Sequence, residues 1–425
     1  MTQPPEPALP LESAPHAFRQ VPRTGVIYVM NEAARHGYQP EHPDWANLGQ
    51  GAPEVGLIPE GPPRITAIEV DEHDCEYAPV VGIPELRDAV AALYNARYRQ
   101  GKASQYTRDN VAIVAGGRTG LTRVVSTLGR AHLGHFLPDY TAYEELLDCF
   151  GAFVPIPIML DPDHRYRFNQ KDLEQEILGR GLSGLLLSNP SNPTGKLVRG
   201  EALASWIDSG RRLDCALIFD EFYSHYTYVG DELTVSAAAH VEDVNTDPVV
   251  ILDGLTKNWR YPGFRVAWVV APRSVIESVA SAGSFLDGGC ARPMQRAAVP
   301  LLDRAVADAE ARAIQRSFRV KRERMMTGLE ALGVRVDLPP QGGFYCWGEL
   351  SRLPEGLRTG MELFRAALSE GVIVVPGEFF DVDPGHRRGG RPSRFRHYAR
   401  FSFGPSLPVL DRGLAGLERL VRRAR

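Results

Sequence analysis

Seven short apolar runs, at residues 111–114, 135–137, 154–158, 185–188, 216–219, 249–252 and 266–270, constrain the fold of this chain more than any other feature. They are rich in valine, isoleucine and leucine, and polar and apolar positions do not alternate within them. Strands of this kind are covered on both faces, as in a parallel sheet between helices, whereas a half-solvated antiparallel strand alternates. The stretches between them carry helical periodicity: after Pro84, residues Leu86, Ala89, Val90, Leu93 and Tyr94 fall on one face. The pattern predicts an α/β domain with a mostly parallel seven-stranded sheet between helices, spanning about residues 71–310. A long helical pattern from about 292 to 332, strand-like runs at 334–337 and 344–347, and a final amphipathic helix predict a smaller α+β domain over 311–425. Residues 1–70 form an arm that completes it. A chain of 425 residues, 44% hydrophobic, is long enough for both domains.

Composition narrows the function. A net charge of −4 gives no bulk attraction to nucleic acid or to an anionic membrane, so the expected partner is a small molecule. No run of 18 apolar residues occurs, and the proline-rich start (Pro4, Pro5, Pro7, Pro10) is unlike a secretory signal, which makes the cytoplasm the expected location. The cysteines (Cys75, Cys149, Cys215, Cys290, Cys346) are odd in number and far apart, so they are expected as reduced, mostly buried thiols. His132 and His135 lack the companion carboxylates or thiols of a metal site, and no metal is expected. Only five of the 48 basic residues are lysine: Lys102, Lys171, Lys196, Lys257 and Lys321.

Chemistry collects at the ends of the predicted strands. Asp220, followed by Glu221, Phe222 and Tyr223, closes one run; Thr256 and Lys257 follow another. In a parallel sheet both ends lie at one edge, where α/β folds bind ligands. A carboxylate there can pair with a pyridinium nitrogen, and a lysine can form an imine, which an always-protonated arginine cannot. A lysine in a loop is ordinarily a solvated surface cation; Lys257 differs in its company. Pro262-Gly263-Phe264-Arg265 brings an arginine, a plausible phosphate ligand, to the base of the next strand. Gly116-Gly117-Arg118-Thr119-Gly120 lies between a strand and a helix, where glycines let backbone N–H groups approach a phosphate. That turn alone reads better as a plain strand-to-helix connection, and it lacks the full dinucleotide fingerprint. Asn189-Pro190-Ser191-Asn192-Pro193-Thr194-Gly195 sets asparagine side chains in a rigid turn at the same edge, where one can bond a phenolic oxygen.

In these motifs the chain resembles the fold-type I aminotransferases of class I/II. Tyr398-Ala399-Arg400-Phe401-Ser402-Phe403-Gly404, Tyr77 to Arg87, Gln341 to Tyr345 and Val375-Pro376-Gly377 extend the likeness over nearly the whole chain. The resemblance implies a pyridoxal 5′-phosphate (PLP) enzyme that moves an amino group between an L-amino acid and a 2-oxo acid. Lys257 would carry the cofactor as a Schiff base and serve as acid and base for the proton shift. Asp220 would pair with the ring nitrogen, Asn192 and Tyr223 would bond the ring oxygen, and Tyr140 would stack on the ring. Gly117 and Arg118 (through their backbone), Thr256, Arg265 and a Tyr77 reaching over from a partner subunit would hold the phosphate. Arg400, with Gly51 and Asn192, would bind the substrate carboxylate. Tyr77 in that role implies a homodimer.

The same cofactor constellation also serves lyases and enzymes that form C–C or C–S bonds, including ones acting on S-adenosylmethionine, and that is the alternative reading. A DNA-binding regulator built on this fold would need an N-terminal helix-turn-helix, but the residues before Tyr77 are few and include the family-like Leu48-Gly49-Gln50-Gly51. The chain departs from the resemblance in two places. Gly254 stands three residues before the lysine where many relatives have serine, and a basic Gly/Pro-rich loop at 384–394 lengthens the segment before Arg400. Arg292 and that loop would suit an acidic substrate, whereas Tyr28, Phe344, Tyr345 and Trp347 would suit an aromatic or aliphatic one.

Overall fold

The computed structural model describes residues 25–40 and 42–425, and the proline-rich start lies outside them. The chain runs α1 (Gly25–Arg35), β1 (Ala46–Asn47), α2 (Pro84–Tyr98), β2 (Val111–Val114), α3 (Gly117–Ser126), β3 (His132–Leu137), α4 (Tyr143–Asp148), β4 (Val154–Met159), α5 (Gln170–Arg180), β5 (Leu182–Ser188), α6 (Gly200–Arg212), β6 (Ala216–Asp220), β7 (Val249–Gly254) and β8 (Ala267–Val270). It continues through α7 (Arg273–Leu286), α8 (Arg292–Ala298), α9 (Arg304–Leu332), β9 (Tyr345–Glu349), α10 (Gly360–Leu368), β10 (Val372–Ile373), β11 (Val375–Pro376), β12 (Tyr398–Ser402) and α11 (Leu407–Ala424).

All seven predicted runs become strands of one sheet, in the order β2-β8-β7-β6-β5-β3-β4. Strands β4, β3, β5, β6 and β7 pair in parallel, and β8 runs antiparallel to both β7 and β2. The inner strands β6, β7 and β8, and β2 at one edge, are almost wholly buried, as their unbroken apolar character requires; each leucine, valine or isoleucine removed from water contributes about 1.5–3 kcal/mol. At the opposite edge β4 is only partly buried, with Val154 and Met159 exposed. Since β8 alone is reversed, its start lies beside the ends of β2, β5, β6 and β7. That edge therefore gathers Gly116, Ser188, Asp220, Gly254 and Arg265.

Two predicted elements differ. The helical pattern from 292 to 332 is two helices, interrupted by a 3-10 turn at Val299–Leu302. Pro300 donates no backbone hydrogen bond and restricts the residue before it, and Asp303 opens α9 by accepting from the backbone N–H of Ala305 and Val306. The run 334–337 forms only an isolated bridge between Arg335 and Glu349, since Pro339 and Pro340 follow and cannot extend a ladder. The second sheet is β11-β12-β9, antiparallel, and β12 carries Arg400 at its centre. The N-terminal segment joins this part of the chain through parallel pairing of β1 with β10, Ala46 opposite Val372. Cys215, Cys290 and Cys346 are buried, Cys75 and Cys149 exposed. Among the described residues no helix is long and apolar enough to cross a membrane.

Candidate active site

The gathered edge opens into a cavity of about 370 Å³ walled by Gly117, Arg118, Leu121, Tyr140, Ser188, Asn192, Asp220, Phe222, Tyr223, Thr256, Lys257, Pro262 and Arg265. Nine residues expected from the sequence thus share one cavity, although they come from positions 117 to 265. At one end Gly116, with φ of +93°, turns the chain from β2 into α3, and a β-carbon there would lie 2.0 Å from the Arg265 guanidinium. A β-carbon on Gly117 would lie 2.6 Å from the Phe222 ring. The glycines leave the first turn of α3 open beside Arg265, an arrangement suited to an anion. Arg118 goes beyond its expected backbone role: its guanidinium donates to the Tyr140 hydroxyl at 3.2 Å.

Asp220 forms the floor. Its Oδ2 accepts from the Tyr143 hydroxyl at 3.0 Å, and burial raises its pKa to about 6. Lys257 projects into the same space and donates to the Gly51 carbonyl. Burial lowers its pKa to about 7, helped by the positive charges of Arg400, Arg118 and Arg265, so neutral, nucleophilic amine is present near neutral pH. Its backbone is fixed in turn: the Lys257 carbonyl accepts from Tyr226, and the next residue, Asn258, bonds Glu221, Ser224 and Asp253. Thr256 Oγ1 is buried without a partner. Gly254 cannot be serine without disturbance, because a β-carbon there would lie 2.5 Å from the Cα of Ala267 on β8.

Behind the cavity Arg400 is 1% exposed. It donates to Asn192 Oδ1 and to the Gly49 carbonyl, both at 2.9 Å, while its Nε is buried with no partner. Such a cation is costly unless an anion joins it. Tyr77 lies elsewhere: its side chain is 95% exposed and away from this cavity, and its carbonyl accepts from Arg292. Of the aromatic candidates, Tyr345 bonds the Tyr223 hydroxyl, whereas Phe344 and Trp347 are core residues and Tyr28 packs on Phe364 and Phe379. The basic loop turns onto acids: Arg388 pairs with Asp381 and Asp383. His132 bonds the Arg180 carbonyl, and burial lowers the buried His135 to about 4, so the two do not act as a pair. Sequence reasoning missed Tyr143 as the partner of Asp220. Its spacing from Tyr140 carried no chemical signal, because only the fold brings α4 over the end of β6.

A sheet of this topology, with a partly buried lysine and a buried carboxylate at its ligand-binding edge, is that of the fold-type I enzymes. Residues 43–398 match the family model described as aminotransferase class I and II; the chain belongs to that family and is an aminotransferase. It is 28% identical over 394 residues to the valine–pyruvate aminotransferase of Mycobacterium tuberculosis, covering 90% of this chain and 94% of that protein. It is 25% identical over 385 residues to the aspartate/prephenate aminotransferase of Thermus thermophilus, covering 90% and 92%. The structure of the Thermus thermophilus aspartate aminotransferase with maleate shares the fold, with a TM-score of 0.76, 22% identity and coverage of 95% and 100%.

Proposed function

We propose that this chain binds PLP through Lys257 and transfers the amino group of an L-amino acid to a 2-oxo acid in the cavity between Asp220 and Arg400. The observation that carries this reading is a lysine of lowered pKa in a cavity whose lining includes the unpartnered Thr256 Oγ1 and Asn192, to which the buried Arg400, its own Nε unpartnered, donates. Thr256, Arg265, the backbone of Gly117 and Arg118 and the open glycine turn fit a phosphate; Thr256 supplies the hydroxyl that Gly254 lacks. With PLP bound, Asp220 would pair with its ring nitrogen, Asn192 and Tyr223 would bond its ring oxygen, and Tyr140 would stack on the ring. When bound, the cofactor supplies the electron sink for breaking the bond to the amino acid's α-hydrogen.

The protein's part is to bind, orient and move protons. Arg400 Nε, beside Asn192 and Gly51, takes the α-carboxylate and fixes which bond of the substrate stands over the ring. Lys257, when neutral, would take the α-proton and return it. Asp220, held by Tyr143, keeps a negative charge under the site. A homodimer completes it, with the exposed Tyr77 reaching the phosphate of the partner's site and Arg292 travelling beside it. The relatives are named for valine, pyruvate, aspartate and prephenate, so valine, alanine, aspartate and an aromatic amino acid are the first donors to try.

The test is a visible absorption spectrum of the purified protein and of Lys257→Ala, before and after adding each donor. A lysine-dependent band that bleaches as a 2-oxo acid is released is the expected result. Absence of any lysine-dependent band overturns the cofactor reading, and release of ammonia in place of a 2-oxo acid overturns the transfer.

A further inference from the structure

Tyr345, at the start of β9, belongs to neither wall of the cavity, yet it touches both halves of the site. Its hydroxyl lies 3.0 Å from that of Tyr223, and its ring face lies 4.1 Å under the Arg400 guanidinium carbon. Gly51 covers it, since a β-carbon there would stand 3.6 Å from the Tyr345 hydroxyl. Both tyrosines are buried, and burial raises both phenols above their ordinary range, so both are neutral and share a single hydrogen bond whose direction is open. The surroundings decide that direction. The Arg400 charge favours proton loss from both phenols but packs directly on the Tyr345 ring, which makes Tyr345 the more acidic of the two and the better donor.

We propose that Tyr345 is a positioning residue: its hydroxyl donates to Tyr223 and so turns the Tyr223 proton into the cavity, while its ring holds the Arg400 guanidinium in the plane that receives a carboxylate. With the Tyr223 oxygen already accepting one bond, its proton is left to point at whatever acceptor fills the cavity, which under the reading above is the ring oxygen of the cofactor. Donation to that oxygen favours its anionic form and weakens its hold on the neighbouring imine proton. The hydroxyl of Tyr345 therefore tunes the pH at which the bound cofactor changes colour, and its ring tunes carboxylate affinity. The two effects are separable by substitution.

This inference rests on the proposed cofactor site, and the experiment separates their failures. Holoenzyme is titrated from pH 5 to 10 by visible absorption in wild type, Tyr345→Phe, Tyr345→Leu and Tyr223→Phe, and KM and kcat are measured for the best donor. Tyr345→Phe keeps the ring and is expected to raise the titration midpoint by about half to one pH unit, with KM within about twofold of wild type. Tyr345→Leu is expected to raise the midpoint equally and to raise KM about tenfold, as the face under Arg400 is lost. Tyr223→Phe is expected to shift the midpoint in the same direction and further. If Tyr223→Phe moves the midpoint and Tyr345→Phe does not, the positioning role is overturned. If neither moves it, Tyr223 does not face the ring oxygen and the cofactor placement fails with it.

Discussion

Replacing Lys257 with methionine should stabilise the cofactor-free protein, and by an amount that depends on pH. The folded site holds the lysine at about 7 against an ordinary 10.5, so charging it there costs about 4 to 5 kcal/mol more than in the unfolded chain. Below pH 7 both states carry the proton and the cost is complete. Between pH 7 and 10.5 the unfolded chain holds a proton that the folded chain does not, so the stability of the wild type rises with pH and the cost fades by about 1.4 kcal/mol per pH unit. Methionine removes the charge and keeps the volume, but leaves the Gly51 carbonyl without its donor at a cost of about 1 kcal/mol. The variant should therefore be more stable by about 3 to 4 kcal/mol at pH 6.5, with the advantage gone by about pH 10. Urea unfolding of both cofactor-stripped proteins by circular dichroism at the two pH values measures this. A variant less stable at pH 6.5, or an advantage that does not shrink, refutes the claim that burial and the three arginines depress the lysine.

Three other outcomes follow from the same geometry. Gly254→Ser, which restores the residue of many relatives, should destabilise the fold by about 1–3 kcal/mol by forcing β7 away from Ala267, seen as a lower thermal midpoint with no gain in cofactor affinity. Arg400→Lys should raise KM for the amino donor at least about tenfold in steady-state kinetics, because an ammonium cannot keep both the Asn192 and Gly49 bonds and also grip a carboxylate; an unchanged KM would remove Arg400 from substrate binding. Mixing inactive Lys257→Ala with a weakened Tyr77→Phe should yield hybrids in which one site has both native residues, recovering about a quarter of wild-type activity if Tyr77 serves the partner's site and no more than the Tyr77→Phe share if it serves its own.

The sequence was enough for the sheet, because a buried parallel strand must be apolar on both faces and this chain has seven such runs in order. It was also enough for the polar residues at the strand ends, Asp220, Lys257, Arg265 and Asn192, since their chemistry has few other uses in that position. What it could not reveal were contacts between residues far apart in the chain. Tyr143 under Asp220 and Tyr345 against Tyr223 are ordinary tyrosines until α4 and β9 are folded against β6 and the turn that follows it. The break at Pro300 and the lone bridge at Arg335 likewise depend on what packs nearby rather than on apolar spacing. Local periodicity records which faces a segment buries, and that is written residue by residue. The charge state of Lys257, the unpaired nitrogen of Arg400 and the direction of a shared phenol proton arise from desolvation and from neighbours mostly far away along the chain, and only the tertiary structure decides them.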